Sequence, residues 1–381
     1  MSPRTGLARP AALAAAAMLT LTACSTGPTS GAADEGTVGG ADDSGQGTGA
    51  ASGDAGATST GDAGTASGGE DSGTFPVTVD HAFGSTEIPQ DPQRVVTVGW
   101  TDHEVMAALG EVPVGAVKIN WGGNEAGSTD WFDEAVTELG HDPAEITRYD
   151  DSDGIPVDEI AAMEPDLVIG SNSGMSQEDY DRLARIAPTV AYPETAWATP
   201  WRESVELVGK AIGRPEQAQE AVAETEAELA AAREEHPELE DTSFAWGWFS
   251  PTDTSTIGLY NVIDLRPQFL TELGMVNATV VEEMSGNENF SANLSAEQAD
   301  TLDADVFIFY SDGGFTADML LEDPLLSQIP AMASGAYVEA GEPQDVVGMS
   351  SPTPLSIPVA LDRFVPQVAE AAATAAQDEA R

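Results

Sequence analysis

One cysteine in 381 residues, Cys24, leaves no disulfide framework and no cysteine-based zinc or iron–sulfur site. Lysine is almost as scarce: Lys118 and Lys210 are the only two, and 14 basic side chains stand against 65 acidic ones, a formal charge of −51. Nucleic-acid binding needs a basic stripe to neutralise phosphates, so it is excluded. The four histidines, His81, His103, His141 and His236, lie far apart and form no H-x-x-H or H-E-x-x-H spacing, which argues against a binder of free zinc or manganese. No G-x-G-x-x-G or G-x-x-x-x-G-K-[ST] run supports a nucleotide site, and no G-x-S-x-G elbow nominates a nucleophile. Neither a resident metal, a cofactor nor an enzyme is expected. A hydrophobic share of 41% is enough for a core, and the length fits two domains.

Residues 10–22 form an apolar, alanine-rich run behind Arg4 and Arg9. The run is too short to span a bilayer as a mature helix and matches a secretory signal, here residues 1–23. It ends Leu21-Thr22-Ala23-Cys24, similar to a bacterial lipobox, in which small residues precede a cysteine that is lipidated and becomes the mature N-terminus. A multiply acylated (palmitate-bearing) Cys24 would satisfy the two-chain requirement for stable anchoring at the extracytoplasmic face of the cell membrane. Residues 25–74 hold 15 glycines and eight acids with no aromatic, Lys or Arg, and such a segment cannot bury enough apolar surface to fold. With the cysteine, residues 24–74 read as a flexible tether of roughly 40 Å reach. The remainder, residues 75–381, still carries 57 acids against 12 bases.

That remainder reads as α/β. Residues 76–83 and 86–88 flank Gly84-Ser85, a two-residue hairpin signal. Residues 94–98, 112–118, 165–169 and 189–192 are strand runs. Thr101-Asp102-His103-Glu104 has the form of a capping box opening a helix, and Ser176 caps another. Residues 201–232 are helical in pattern, interrupted at Gly213-Arg214-Pro215. A second alternating half follows, with strands over 244–249, 256–260 and 306–310, a helix over 268–273, a capping box at Ser295-Ala296-Glu297-Gln298 and a closing amphipathic helix over 357–376. Strands alternating with helices predict parallel sheets, here in two α/β halves joined by helix with a crevice between them. The predicted organisation is a first lobe at 75–198, a linking helical segment at 199–235 and a second lobe at 236–381.

Several stretches, taken in order, carry a family resemblance. They are Arg94-Val95-Val96-Thr97-Val98-Gly99-Trp100-Thr101-Asp102, Ala108-Leu109-Gly110 with Pro113-Val114-Gly115, Ile160-Ala161-Ala162-Met163-Glu164-Pro165-Asp166-Leu167-Val168, and Ile186-Ala187-Pro188-Thr189-Val190 with Thr199-Pro200-Trp201. Phe269-Leu270-Thr271-Glu272-Leu273-Gly274 and Pro352-Thr353-Pro354-Leu355-Ser356-Ile357 add to them in the second half. The chain resembles the bacterial iron–siderophore substrate-binding lipoproteins of ABC importers, in the class that also holds cobalamin and haem binders. The resemblance implies two Rossmann-like lobes bridged by one long helix, placed within residues 199–212, limited hinge motion, and a ligand held between the lobes at loops following the strands. It implies a monomeric carrier whose ligand is an Fe(III)–siderophore complex, with haem or cobalamin as the alternative, and a permease dimer as partner. An anchored extracellular enzyme on a similar scaffold is the rival class; turnover of the ligand separates the two.

Trp100, Trp121 and Trp201 follow strands or open the lobe junction, where flat rings would cover a bulky chelate; core packing is the alternative for each. Trp248 shares a strand face with Trp246. Thr101, Asp102, Ser171, Asn172 and Ser173 sit on strand-to-helix loops and are candidates for ligand oxygens, against simple turn or helix-dipole roles. The resemblance adds Arg266, where a basic residue meets anionic oxygens around ferric iron, a buried salt bridge being the alternative; Tyr260 and Tyr310 are secondary candidates. It also adds Asp158, with neighbouring Glu159, and Glu297 as acids that dock onto permease arginines. High overall acidity disfavours tris-catecholates and favours hydroxamate or mixed-type ligands.

Overall fold

The computed structural model describes residues 73–250, 253–285, 289–310, 315–341 and 343–379. The predicted signal, Cys24 and the tether up to residue 72 lie outside them. Strands β1 (Val77–His81) and β2 (Gly84–Ile88) pair antiparallel with His81 opposite Gly84. The turn is therefore Ala82-Phe83, not Gly84-Ser85. Phe83 is the reason: its ring packs against Tyr180 and Tyr192, and the Ala82 N–H donates to the Tyr192 carbonyl at 2.9 Å, pinning the turn to the lobe.

The first lobe is an all-parallel sheet of β3 (Val95–Thr97), β4 (Gly115–Val117), β5 (Thr147–Tyr149), β6 (Leu167–Gly170) and β7 (Thr189–Ala191). Its spatial order is β5-β4-β3-β6-β7. Crossover helices α1 (Asp102–Ala108), α2 (Asp130–Glu138), α3 (Val157–Ala162) and α4 (Gln177–Leu183) connect successive strands. The chain runs outward from β3 through β4 to β5, then returns to β6 on the other side. The switch point thus lies between β3 and β6, and open α/β sheets bind ligands outside the carboxyl ends of strands at such a point. Strand β5 was not legible, because Thr147 is exposed and the run is only three residues long.

Helices α5 (Trp201–Ala211) and α6 (Pro215–Glu235) follow. The long helix is the 21-residue α6, not residues 199–212. Gly213 adopts φ 70° and Pro215 has no N–H to continue the ladder, so α5 stops and α6 starts afresh. The second lobe holds β8 (Ser243–Ser250), β9 (Asp253–Tyr260), β10 (Val276–Asn277), β11 (Ser291–Ser295), β12 (Val306–Tyr310) and β13 (Tyr337–Ala340). Their order is β11-β9-β8-β12-β13, with β10 alongside β8. This sheet is mixed rather than parallel: β8, β9 and β11 run antiparallel as a meander, while β12 and β13 are parallel to β8.

Helices α7 (Leu265–Glu272), α8 (Thr279–Met284), α9 (Ala317–Glu322), α10 (Pro330–Ser334), α11 (Pro343–Ser350), α12 (Ser356–Arg363) and α13 (Val365–Glu379) complete the fold. The predicted closing helix is two helices, broken at the fully buried Phe364, whose ring stacks on Trp246 at 5.4 Å. Ser295 caps a 3-10 turn rather than an α-helix. One apolar core runs through both lobes: Val95, Leu167 and Ile169 of the first sheet share it with Phe244, Trp246 and Ile308 of the second, through α5, α6, α12 and α13. No described helix is long and apolar enough to cross a membrane.

Candidate functional site

A cavity of about 440 Å³ opens between the lobes. The first lobe lines it with Trp100, Asp151, Asn172 and Trp197, the second with Asp264, Arg266, Phe290 and Ser350. Trp100 and Asn172 follow β3 and β6, the two strands that flank the switch point. Three aromatic faces, Trp100, Trp197 and Phe290, supply the apolar wall. Trp197 is 43% exposed and Phe290 50%, unusual for such rings unless something covers them. Trp197 stands at φ 61°, a left-handed conformation that costs a non-glycine residue about 1–2 kcal/mol. Its indole lies so close over Gly174 that a Cβ there would fall 2.4 Å from the ring nitrogen, so only glycine fits beneath it. Backbone strain of this kind collects at ligand clamps.

Arg266 supplies the cation of the cavity wall. Asp264 caps α7, accepting from the Arg266 N–H at 3.0 Å, and its carboxylate pairs with the guanidinium at 2.8 Å. The guanidinium stacks 4.0 Å above the Tyr260 ring, and its Nε donates to Ser350 Oγ at 3.3 Å. The Tyr310 phenol lies buried beside the same group. Burial pushes the Tyr260 and Tyr310 phenols up and raises Asp264, with Arg266 opposing each shift. For Arg266 itself burial works against the charge, but Tyr310, Asp264 and Tyr260 together outweigh it and hold the group above its ordinary value. Predicted residues Trp100, Asn172 and Arg266 therefore meet in one place, and Tyr260 and Tyr310 support the arginine from behind.

Other predicted contacts point elsewhere. Asp102 is fully buried and its carboxylate is engaged: it accepts from Ser171 N at 2.9 Å, Ser171 Oγ at 2.5 Å and Asn172 N at 3.3 Å. Burial raises its pKa and the donors from Ser171 and Asn172 resist. Asp102 thus ties the loop after β3 to the loop after β6 and sets the place of Asn172. Ser171 is spent on that contact and on Ser204, and Ser173 donates back to the Gly170 carbonyl at 2.9 Å. Thr101 forms no cap hydrogen bond. Its hydroxyl sits 2.6 Å from Ser351 Oγ, which also takes the Asn172 amide N–H at 2.5 Å.

Glu104, the far end of the predicted capping box, turns inward instead. Thr129 and Thr353 donate to its two oxygens at 2.8 Å each, and burial raises its pKa against those bonds. Tertiary partners outcompete the local cap because the carboxylate is fully buried and needs donors. Trp201 is 4% exposed; its indole N–H donates to Glu272 Oε1 at 3.0 Å while Arg202 stacks on its face at 4.3 Å. It is a strut between α5 and α7, outside the cavity. Trp121 stands edge-on to Tyr310 at 5.5 Å. Trp248 lies over Gly258 in the β8–β9 hairpin, also outside the cavity. Asp158, Glu159 and Glu297 are all exposed.

The sequence reading missed Asp151, Trp197, Asp264, Phe290 and Ser350. Asp151 had a usable signal: once β5 is recognised, it sits just past a strand's carboxyl end. Asp264 had another, the D-x-R spacing of an N-cap beside a first-turn base. Phe290 and Ser350 had none. Among the described residues, no group of three or more His, Cys, Asp or Glu is placed to hold a metal ion.

The sequence profile of the family described as "Periplasmic binding protein" matches residues 95–343. The chain is 34% identical over 148 residues to the probable siderophore-binding lipoprotein YfiY of Bacillus subtilis (strain 168), covering 39% of this chain and 42% of that protein. It is 26% identical over 180 residues to the iron(3+)-hydroxamate-binding protein YxeB of the same organism, covering 47% and 49% respectively. The chain thus spans less than half the length of these two curated relatives. Among solved structures, PiaA of Streptococcus pneumoniae TIGR4 in complex with ferrichrome superposes with a TM-score of 0.72 at 34% identity, over 78% of this chain and 99% of that one.

Proposed function

The chain belongs to the periplasmic binding protein family, and we propose that it captures a ferric siderophore, of hydroxamate or mixed type, and delivers it to the permease of an ABC importer. The family is a substrate-binding class rather than an enzyme class. One observation carries the reading of the ligand: a cavity between two lobes with three aromatic faces and a single arginine already paired with a carboxylate. Ferric hydroxamates are near neutral and present a large, partly apolar surface, which indole and phenyl rings cover at low entropy cost. A tris-catecholate with about three negative charges would meet two acids and one base, in the field of a strongly acidic protein. The names borne by the hydroxamate-binding and ferrichrome-bound relatives agree with this choice.

The exposed acids Asp158, Glu159 and Glu297 are the proposed contacts to permease arginines, and Cys24 the proposed lipid anchor. Limited hinge motion follows from the single core shared by both lobes, since opening would have to tear apolar contacts along α6 and α12.

Tryptophan-fluorescence titration of the purified protein with a ferric hydroxamate, a ferric catecholate, haem and cobalamin tests the proposal. Trp100 and Trp197 lie in the cavity wall, so the expected result is saturable, submicromolar quenching by the ferric hydroxamate and none by its iron-free form. Silence toward both ferric chelates sinks the iron assignment, and a response to haem or cobalamin reassigns the ligand.

A further inference from the structure

Three charged groups line the cavity: Arg266, Asp264 and Asp151. The first two neutralise each other at 2.8 Å. Asp151 is different. No described base pairs with it; the influences on its carboxyl are burial, which raises its proton affinity, its own backbone N–H, and the like charge of Asp150. Lys118 is exposed, lies along Gly127 and acts only through its charge on Asp150, whose carboxylate also takes Ser152 and Asn120. A half-buried carboxylate without a counter-charge is an expensive arrangement, and a cation brought by the ligand would relieve it.

A second observation points the same way. Asn172 lines the same cavity at 3% exposure, and its amide N–H is used on Ser351 at 2.5 Å. Its Oδ1 is buried with no donor. The first-lobe wall therefore brings an acid without a basic partner, Asp151, together with an amide whose oxygen has no donor of its own. An alkylammonium has three N–H donors, no acceptor and a charge of +1 at pH 7. The indole faces of Trp100 and Trp197 at the same wall also favour a cation over an anion.

We infer that Asp151 is a specificity residue for a cationic group on the ligand, so that the cleft prefers a ferric hydroxamate carrying a free ammonium to the same chelate without it. This rests on the siderophore reading above. An uncharged chelate occupies the aromatic wall and leaves Asp151 unpaired. An ammonium-bearing one fills the wall and neutralises the acid.

The test uses a matched pair of probes: a linear ferric trihydroxamate with a free terminal amine, and the same complex N-acetylated. Dissociation constants are measured for the wild-type protein, Asp151→Asn and the exposed control Asp153→Asn. The expected result is about tenfold tighter binding of the amine form by wild type, the scale of one charge-assisted contact. That gap should vanish in Asp151→Asn, persist in Asp153→Asn and narrow in wild type between 50 and 500 mM NaCl. Equal binding of the two chelates by wild type overturns the inference while leaving the siderophore reading intact, without reliance on any variant's folding. A gap that survives in a folded Asp151→Asn also overturns it. Failure of wild type to bind either chelate instead sinks the siderophore reading, and the inference with it.

Discussion

His103 shows at the scale of one residue how burial sets chemistry. Its ring is fully buried, edge-on to Phe132 at 4.6 Å, with neither nitrogen partnered. Burial, reinforced by the nearby Arg148 charge, holds its pKa well below the ordinary histidine value. The unfolded chain takes up a proton near pH 6.5 and the folded one does not, so this group's contribution falls as pH drops through that value. Between pH 7.5 and 5.5 the loss should be on the order of 1 kcal/mol, read as a fall in the urea midpoint that His103→Phe does not share. Asp102 and Glu104 act with the opposite sign, because burial raises both; their stabilising contribution is complete only below the ordinary carboxylate range and is lost as pH rises through their folded values. Subtracting the His103→Phe curve removes their common effect. Identical pH curves for the two proteins would show that the histidine is not buried neutral.

At the scale of an element, the break between α5 and α6 was legible in Gly213-Arg214-Pro215, while the identity of the longer helix was not. Gly213 sits at φ 70°, where a Cβ would also fall 2.6 Å from the Phe75 ring. Gly213→Ala should therefore destabilise the protein by about 1–2 kcal/mol, measured by urea denaturation. A neutral result would mean that the junction relaxes without cost. Arg214 shows what the local pattern concealed: it leaves the helix to pair with Glu111 in the first lobe, a partner about a hundred residues away. The two capping boxes divide in the same way. Ser176 keeps its reciprocal bonds with Asp179 because Ser176 is exposed, Asp179 is only partly buried and neither has a better partner, whereas Thr101 and Glu104 are drawn to Ser351 and Thr353.

For the molecule as a whole, 57 acids against 12 bases over residues 75–381 make self-repulsion a standing cost of the folded state. The described ion pairs use arginines on acids that are already in excess, as where Arg202 holds both Glu226 and Glu272. Thermal stability should rise from 0.05 to 0.5 M NaCl as the Debye length shrinks from about 14 to 4 Å. A melting temperature that falls over that range would show that attractive pairs outweigh the repulsion.

The sequence alone determined the α/β alternation and the crevice at strand ends, because these depend on short-range periodicity. It also nominated Trp100 and Asn172, since position after a strand is a local property, while Arg266 came from the family resemblance. Tertiary structure decided which loop side chains face the cleft. Asp102 and Ser171 turn away because each satisfies the other across 69 residues, Trp201 because Glu272 takes its N–H, and Asp151 faces the cavity with no base of its own. Hydrogen-bond demand in a buried place is met by whatever donor the fold brings near, and that donor is fixed by long-range contact rather than by the neighbouring letters of the chain.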